Sequence, residues 1–342
     1  MWTPSWRRPW RRKRPARGRL RRHRTAAAPT RTAYSPAMPS PGDPSFWKTR
    51  VRSHQDGWRL CDLIQSECFM EPREARDLVD FGSVHVAGRV VRDGDRPLRA
   101  GEEVRVYWPW SGVRRFYELD PARILFRDPW ILAYDKEAGI PTQPMPSDAY
   151  NNVFEAAKRF LAQEGTAEPY VGLHHRLDRE TSGVLVMSVS RQANKALGRA
   201  FQDHRVKKLY LAWVRGVPEW NQKVVRRDIG REAGRYAAWA HRSGKSAETA
   251  LTTVIRGPGR SLVQAVPKTG RTHQIRLHLA HEGFPILGDR LYGGPEAAQA
   301  APRLLLHAFR LELPHPMTGD TLSLCAPLPR DWPSGPEPAI PG

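Results

Sequence analysis

Short apolar strands recur between residues 120 and 330, and the helical segments among them do not alternate with these strands regularly. Strands are expected at 123–126 and 130–134, then in VKKLYLAWVRG, SLVQAVP and RLLLHAFRLELPHPMTGDTLSLCAP. NNVFEAAKRFLAQEG, RQANKALGRAFQDH and HQIRLHLAHEG have the apolar spacing of helices, and Ser190 and Thr272 are placed to cap the last two. Because the order lacks a strict βαβ repeat, it predicts an α+β fold with a mixed, mainly antiparallel sheet.

The N-terminal residues are basic and of low complexity. Residues 1–42 contain twelve Arg or Lys and no acidic residue, which leaves +8 of the formal net charge of +20 on the rest of the chain. We expect a disordered Arg/Pro-rich tail over residues 1–45. It is open whether this tail is an RNA-binding arm, a targeting peptide or the product of a start codon assigned upstream of Met38. The basic remainder favours a polyanionic partner.

Residues 57–110 are expected to form a small module. GWRLCDLIQSECFMEPREARDLVDFG has two runs of apolar residues at helical spacing, and Gly82 stands where the second helix should end. SVHVAGRVV and RPLRAGEEVRVYWP then predict a hairpin and a closing strand. Arginines, among them Arg73 and Arg76, are spread over this pattern. The module could bind RNA through them, or it could be a small α+β unit whose arginines are only solvated.

The sequence lacks the patterns of several other kinds of site. Three scattered cysteines suit neither a disulfide framework nor a zinc site. There is no P-loop, no dinucleotide glycine fingerprint, no HExxH pair and no GxSxG turn. No apolar run approaches the roughly 18 residues of a membrane-spanning helix, so we expect a soluble chain without a membrane partner.

One polar loop lies directly before a buried strand. In LHHRLDRETSGVLVMSVS, Asp178 stands between Arg176 and Arg179, and an apolar strand follows. An aspartate that acts as a nucleophile or base must stay ionised in a closed site, and a buried arginine opposite it would keep it so. The arginine-rich segment PKTGRTHQIRLHL could supply that arginine.

Four segments together resemble an RluA-type pseudouridine synthase: HRLDRETSG, KLYLAWVRG, GRTHQIRLHLAHEGFPILGDRLYG and LLHAFRLELPHPMTG. The resemblance implies a catalytic domain of that type at residues 118–332, and the module at 57–110 resembles the RNA-binding domain first recognised in ribosomal protein S-four. It implies isomerisation of uridine in ribosomal or transfer RNA, without any cofactor or metal. It further implies a cytoplasmic enzyme, and nothing suggests a state other than a monomer.

The resemblance also assigns roles to individual residues. It implies that Asp178 is the catalytic aspartate, that Arg276 pairs with it and that Tyr210 stacks on the target base. Arg176 would enter the RNA stack when that base flips out. Several other residues would bind RNA or support the site: Lys208 and Arg271 through phosphates or structure, Arg73 and Arg76 in the module, and His174, His175 and His273 as hydrogen-bonding scaffold.

Two stretches depart from the family pattern. Asp135-Lys136-Glu137 replaces the usual Asn-Lys-Pro, which is expected to loosen that loop, and the arginine-rich residues 219–250 follow the pattern only weakly. Two other functions are open to a chain with these motifs. A catalytically inactive RNA-binding or ribosome-assembly protein would be expected to have lost one of the three catalytic positions. An N-glycosylase would need a second carboxylate to activate water, and Glu180 is the candidate within the loop.

Overall fold

The computed structural model describes residues 46–108, 117–232, 235–239 and 244–333. The tail predicted at residues 1–45 lies outside the described residues. Within them the chain has an α+β fold, as predicted, with sheets that are mainly antiparallel. No helix in the described ranges is both long and apolar enough to cross a membrane.

The N-terminal module, residues 46–108, is a four-stranded antiparallel sheet with two helices. Its elements are β1 (Phe46–Arg50), α1 (Leu60–Cys68), α2 (Pro72–Asp80), β2 (Val84–Val86), β3 (Arg89–Val90) and β4 (Glu103–Tyr107). The two helices, the hairpin and the closing strand were predicted, and Gly82 follows α2 with φ of 74°, a conformation that favours glycine. The strand β1 was not predicted. It pairs along β4, so the sheet begins upstream of residue 57.

The remaining described residues, 117–333, form the main body around a ten-stranded sheet. Its strands and the separate hairpin β11–β12 are β5 (Ile124–Arg127), β6 (Ile131–Lys136), β7 (Gly172–Leu173), β8 (Ser182–Ser188), β9 (Lys207–Arg215), β10 (Gln222–Arg226), β11 (Asp228–Glu232), β12 (Arg235–Trp239), β13 (Glu248–Gly257), β14 (Arg260–Pro267), β15 (Leu306–Pro314) and β16 (Thr321–Cys325). The helices are α3 (Val153–Gln163), α4 (Arg191–Gln202), α5 (Gln274–His281) and α6 (Gly294–Gln299).

The large sheet runs in the order β10-β13-β14-β9-β15-β8-β6-β5, with β7 and β16 attached beside β8 and β15. Its pairings are antiparallel apart from β8 with β15, which is parallel. Every residue of β8 is buried because the two faces of the strand are covered by different helices. Leu185 and Met187 pack with α3, whereas Val184 and Val186 pack with α4. This double cover explains why the strand reads as one continuous apolar run.

The module rests against the loop that leads into α3. The Tyr150 amide donates to the carbonyl of Phe81 at 3.0 Å. Gly82 lies so close to the Tyr150 ring that a side chain at position 82 would collide with it. The Arg92 guanidinium lies over the Tyr150 ring, 4.2 Å from its centre. The same loop continues through Asp148, which pairs with Arg179 next to Asp178.

Candidate active site

The loop before β8 is held by backbone and side-chain hydrogen bonds on both sides of Asp178. The hydroxyl of Thr142 donates to the Leu177 carbonyl at 2.7 Å, and the Leu177 amide donates back to the same hydroxyl at 3.2 Å. The Thr181 amide donates to the Asp178 carbonyl at 3.0 Å, closing a turn. The backbone that carries Asp178 is thereby held at the mouth of the buried strand.

Lys136 anchors the residue that follows Asp178. Its side chain is fully buried, and its ammonium donates to the carbonyls of Glu137, Ile140 and Arg179 at 2.7, 2.8 and 3.0 Å. Burial lowers the pKa of Lys136, while Glu180 and Asp178 act in the opposite direction. The expected loosening of this stretch by its missing proline is therefore not what the structure shows. Two of these hydrogen bonds hold the stretch 137–140 together, and the third ties it to the loop that carries Asp178.

Asp178 has a different nitrogen near each carboxylate oxygen. Its Oδ2 lies 3.7 Å from Nη1 of Arg276, and its Oδ1 lies 3.9 Å from Nε2 of His273. Its side chain is 17 % exposed, whereas that of Arg276 is 6 % exposed, so the carboxylate faces an opening and the guanidinium lies behind it. The structure thus brings Asp178 and Arg276 together, at a separation that leaves the carboxylate lone pairs free for a substrate.

The two-pronged partner of Arg276 is Asp289, to which the sequence reasoning gave no role. Nε and Nη2 of Arg276 donate to the two Asp289 oxygens at 2.8 and 2.7 Å. Burial opposes the charge on both groups, yet these bonds raise the pKa of Arg276 and lower that of Asp289. Asp289 also accepts from the amides of Leu291 and Tyr292. Its motif, GDRLYG, was part of the recognised pattern, but no local feature of the sequence distinguishes this aspartate from a surface one.

The start of α5 differs from the prediction. Thr272 was expected to cap the helix, but the N-cap position is His273, in the left-handed region with φ of 57°, and no side chain caps the helix there. The turn is closed instead by Gln274, whose Oε1 accepts from the Thr269 hydroxyl at 2.7 Å and from the Arg271 amide at 3.1 Å. The amide oxygen of Gln274 accepts both hydrogen bonds at once, so this turn is closed without the hydroxyl of Thr272 as a cap. The turn points His273 towards Asp178.

Tyr210 lies on β9 between two small neighbours. Its cross-strand partners are Ala265 on β14 and Ala308 on β15. Alanines on both sides leave space above the sheet next to the phenol ring. Burial, and secondarily the charge of Asp178, raise the pKa of Tyr210, so the phenol stays protonated at neutral pH.

A cavity of about 430 Å³ opens beside these groups. Its volume lies within the range of about 300–1,000 Å³ typical of small-molecule pockets. The cavity is lined by most of the residues predicted for the site: Arg176, Asp178, Lys208, Tyr210, Arg271 and Arg276, together with His174, His175 and His273. Asp178 is the one acidic residue among the described residues that line it. Glu180, the candidate second carboxylate, is not part of this lining.

The basic residues that line the cavity differ in exposure and in their hydrogen-bond partners. Arg176 is exposed, and Arg271 donates to the Ser246 carbonyl at 3.0 Å. Lys208 makes a single long hydrogen bond, 3.4 Å, to the Thr269 carbonyl, and burial lowers its pKa. Within the described ranges, neither Arg176 nor Lys208 has a carboxylate at ion-pair distance. Both are therefore available to phosphate groups.

The histidines of the loop are bound as scaffold. Nε2 of His175 accepts from the Val186 amide at 2.9 Å, and burial lowers the pKa of His175 to about 3. His174 lies 3.2 Å from the Ser188 hydroxyl. In the part of the chain that the structure describes, no three His, Cys, Asp or Glu side chains are placed to hold a metal ion.

Arg73 and Arg76 lie on α2 of the N-terminal module, and they do not belong to the cavity lining. Arg73 is exposed. Arg76 is also exposed, but it forms an ion pair with Asp95 at 3.3 Å. The structure therefore places these two arginines on a separate surface from the other predicted residues.

Comparison with known proteins adds a family to this geometry. A profile described as RNA pseudouridylate synthase matches residues 131–281. A ribosomal large subunit pseudouridine synthase D of Nitrosomonas europaea is 36 % identical over 241 residues, which cover 68 % of this chain and 70 % of that protein. A tRNA pseudouridine synthase C of Salmonella typhi is 37 % identical over 234 residues, covering 61 % of this chain and 86 % of that protein.

A solved structure agrees with these sequence matches. The human RNA pseudouridylate synthase domain-containing protein 4 superposes with a TM-score of 0.51 at 26 % identity. The superposition covers 61 % of this chain and 89 % of that one.

Proposed function

The chain belongs to the RNA pseudouridine synthase family, and we propose that it isomerises uridine to pseudouridine in structured RNA through Asp178, without a cofactor. The bond from ribose carbon 1 to the base nitrogen breaks, the base turns, and ribose carbon 1 bonds to base carbon 5. Carbon 5 then loses its proton, and the freed nitrogen takes one up, so the base keeps its composition. The observation that carries this proposal is a cavity with one carboxylate, Asp178, backed by a guanidinium that is itself fixed by a second, buried aspartate.

Three residues take the chemical roles. Asp178 acts on the ribose or the base of the target nucleotide. Arg276 places its guanidinium 3.7 Å from the Asp178 carboxylate, where the cation stabilises negative charge by Coulombic attraction. Tyr210 stacks on the uracil, which the space next to its alanine neighbours would admit.

Base flipping gives the substrate access to this cavity. The Asp178 side chain is 17 % exposed, so a base stacked within a helix cannot reach it without leaving its stack. Arg176 is exposed at the rim and would occupy the gap that the base leaves. Lys208 and Arg271 would bind the phosphates next to the target nucleotide.

The N-terminal module is proposed to be an RNA-binding domain of the kind found in ribosomal protein S-four. Arg73 is the better candidate for a phosphate contact, because Arg76 is already paired with Asp95. The RNA itself is either ribosomal large-subunit RNA or transfer RNA, the substrates named for the two relatives. Either RNA would be met in the cytoplasm, and we propose that the enzyme acts there as a monomer.

The product distinguishes this proposal from an N-glycosylase. A hydrolase working at the same bond would need a second carboxylate for water, and the described lining of the cavity contains only Asp178. Ribosomal and transfer RNA transcripts are incubated with the protein and digested to nucleosides. We expect pseudouridine in place of uridine, with no free uracil and no abasic site. Release of free uracil in an amount equal to the uridine lost from the RNA would refute the proposed isomerase activity.

A further inference from the structure

His273 faces the oxygen of Asp178 that Arg276 does not reach. Its Nε2 lies 3.9 Å from Oδ1 of Asp178, while Nη1 of Arg276 lies 3.7 Å from Oδ2. Both separations are slightly longer than a hydrogen bond. Sites without a bound substrate often have such long contacts, and they shorten when the reacting complex forms.

The other nitrogen of His273 determines what Nε2 offers to Asp178. Nδ1 lies 2.6 Å from the Tyr292 hydroxyl, so one of the two atoms donates to the other. If Nδ1 carried the proton of a neutral ring, the lone pair of Nε2 would point at a carboxylate and repel it. If Tyr292 donates to Nδ1, the proton is on Nε2 and points towards Asp178. Electrostatics therefore favour the second arrangement.

Tyr292 is held in place for this role by the same aspartate that holds Arg276. Its amide donates to Oδ1 of Asp289 at 3.1 Å, and the Arg276 guanidinium lies 5.1 Å from the centre of its ring. Burial raises the pKa of Tyr292 to about 12, so its hydroxyl keeps the proton that it donates. Asp289 thus supports both groups that face Asp178, one directly and one through Tyr292.

The backbone at His273 also suggests a role beyond packing. His273 adopts φ of 57°, a conformation that costs a residue with a β-carbon free energy and is often found at functional sites. The charged groups around its ring are Asp178, Arg276, Asp289 and Arg176. Burial lowers its pKa, and this outweighs the nearby Asp178 carboxylate, so the imidazole is neutral near pH 7.

We propose that His273 is a positioning residue whose Nε2–H donates to Asp178 in the RNA complex, and that Tyr292 selects the tautomer that makes this possible. This inference rests on the proposed catalytic role of Asp178. The donor orients the carboxylate towards the flipped nucleotide and, with Arg276, gives each of its oxygens one partner. A neutral donor orients the carboxylate without adding a second cation beside it. A second cation would make the carboxylate a weaker nucleophile or base.

Two pairs of variants test the proposal. His273→Gln keeps an N–H near the position of Nε2, while His273→Leu removes it, and both side chains meet the same backbone strain. Tyr292→Phe removes the hydroxyl that fixes the tautomer. Tyr236→Phe is its control, because the Tyr236 ring packs edge-on against the same imidazole, 5.7 Å away, without a hydrogen bond to it among the described contacts.

We expect kcat for pseudouridine formation to fall about 10- to 100-fold in His273→Leu, the usual effect of losing a hydrogen bond to a charged group. The acid limb of its kcat profile should move to higher pH. Recovery of most of the activity by His273→Gln, and a smaller loss in Tyr292→Phe than in His273→Leu, would support the proposal. Tyr236→Phe should match the wild type. RNA affinity and the unfolding temperature are measured for each variant, and Tyr292→Phe carries the test if His273→Leu does not fold.

Normal kcat in folded His273→Leu and Tyr292→Phe would overturn the proposal. So would an equal loss of kcat in His273→Gln and His273→Leu if the kcat–pH profile of both variants stayed at that of the wild type. Asp178→Asn is assayed beside them. If it is inactive while the His273 variants are normal, only the role of His273 fails. If Asp178→Asn is itself active, the proposed function of Asp178 fails.

Discussion

Arg276 gives its two-pronged hydrogen bonds to Asp289, at 2.8 and 2.7 Å, and only its remaining nitrogen faces Asp178, at 3.7 Å. The Asp178 carboxylate, which we propose to be catalytic, therefore forms no tight ion pair with Arg276. It lies in the field of a cation whose position and charge are fixed by another residue. Such an arrangement sets a fixed positive charge beside Asp178 without a close hydrogen bond between Arg276 and its carboxylate.

Asp289→Asn should lower both the free energy of unfolding and kcat. Asp289 is 1 % exposed, and its loss leaves a buried guanidinium without its counter-charge, which costs about 3–5 kcal/mol in the free energy of unfolding. Asp331→Asn is the matched control, since Asp331 forms the same two-pronged pair with Arg303 but is 51 % exposed. It should cost less than about 1 kcal/mol. Equal losses in urea unfolding would show that the buried pair has no special role.

Lys136→Met should loosen the catalytic loop. The substitution keeps the length of the side chain but leaves three carbonyls, including that of Arg179, without their donor. We expect a loss of about 3 kcal/mol in the free energy of unfolding and a lower kcat. Lys158→Met, at a lysine that is 37 % exposed, pairs with Glu155 and lies over the Phe154 ring, should cost less than about 1 kcal/mol and leave kcat unchanged. A stable Lys136→Met enzyme with normal kcat would contradict this anchoring role.

Stability should fall in mild acid because of two buried histidines. Burial lowers the pKa of His175 to about 3 and that of His307 to about 4, from 6.5 in an unfolded chain. Below pH 6.5 the unfolded state therefore binds protons that the folded state does not bind. As the pH falls from there towards its folded pKa, each histidine lowers the free energy of unfolding by up to about 1.4 kcal/mol per pH unit. Asp135 has the opposite effect, because burial raises its pKa from 3.8 to about 6. Between these two pH values its folded state binds the extra proton, so this residue raises the free energy of unfolding as the pH falls.

His307→Gln isolates one share of that acid effect. The free energy of unfolding in urea, measured between about pH 6 and pH 5, should fall less steeply in the variant, by about 1 kcal/mol per pH unit. An unchanged slope would mean that His307 takes up its proton in the folded state as readily as in the unfolded one.

Arg176→Ala should impair the reaction mainly when the target uridine is stacked. A planar cation that fills the vacated gap offsets part of the few kcal/mol that flipping costs. We expect kcat/KM to fall about tenfold more on an RNA with a paired target uridine than on one with an unpaired target. Arg271→Ala, which is proposed to lose a phosphate contact, should weaken both substrates alike. The same loss on both RNAs in Arg176→Ala would remove Arg176 from base flipping.

Elements with a strong local signal were predicted from the sequence. The strand at Ser182–Ser188 is a continuous apolar run, and Ser190 caps α4 by accepting from the Gln192 amide. The strand Phe46–Arg50 was missed because five residues of mixed polarity become a strand only by pairing with distant Glu103–Tyr107. Long-range pairing of this kind has no signature within the segment itself.

The same distinction applies to the site. Asp178, Tyr210 and Arg276 stand in motifs that the family resemblance marks, and the structure brings all three to one cavity. Asp289 could not be chosen, because an aspartate in a polar loop has no local sign that it will be buried against a helix arginine. Thr272 was chosen as a cap from residue type alone, but the N-cap position is His273 and no side chain caps the helix there, while Gln274 closes the preceding turn.

The most direct test of the central claim is tritium release from RNA labelled at carbon 5 of uridine, catalysed by Asp178→Asn. The substitution keeps the shape of the side chain and removes its charge and basicity. We predict that release falls to the background rate while RNA affinity stays at the wild-type value. Near-normal release by the folded variant would contradict the assignment of Asp178 as the catalytic group.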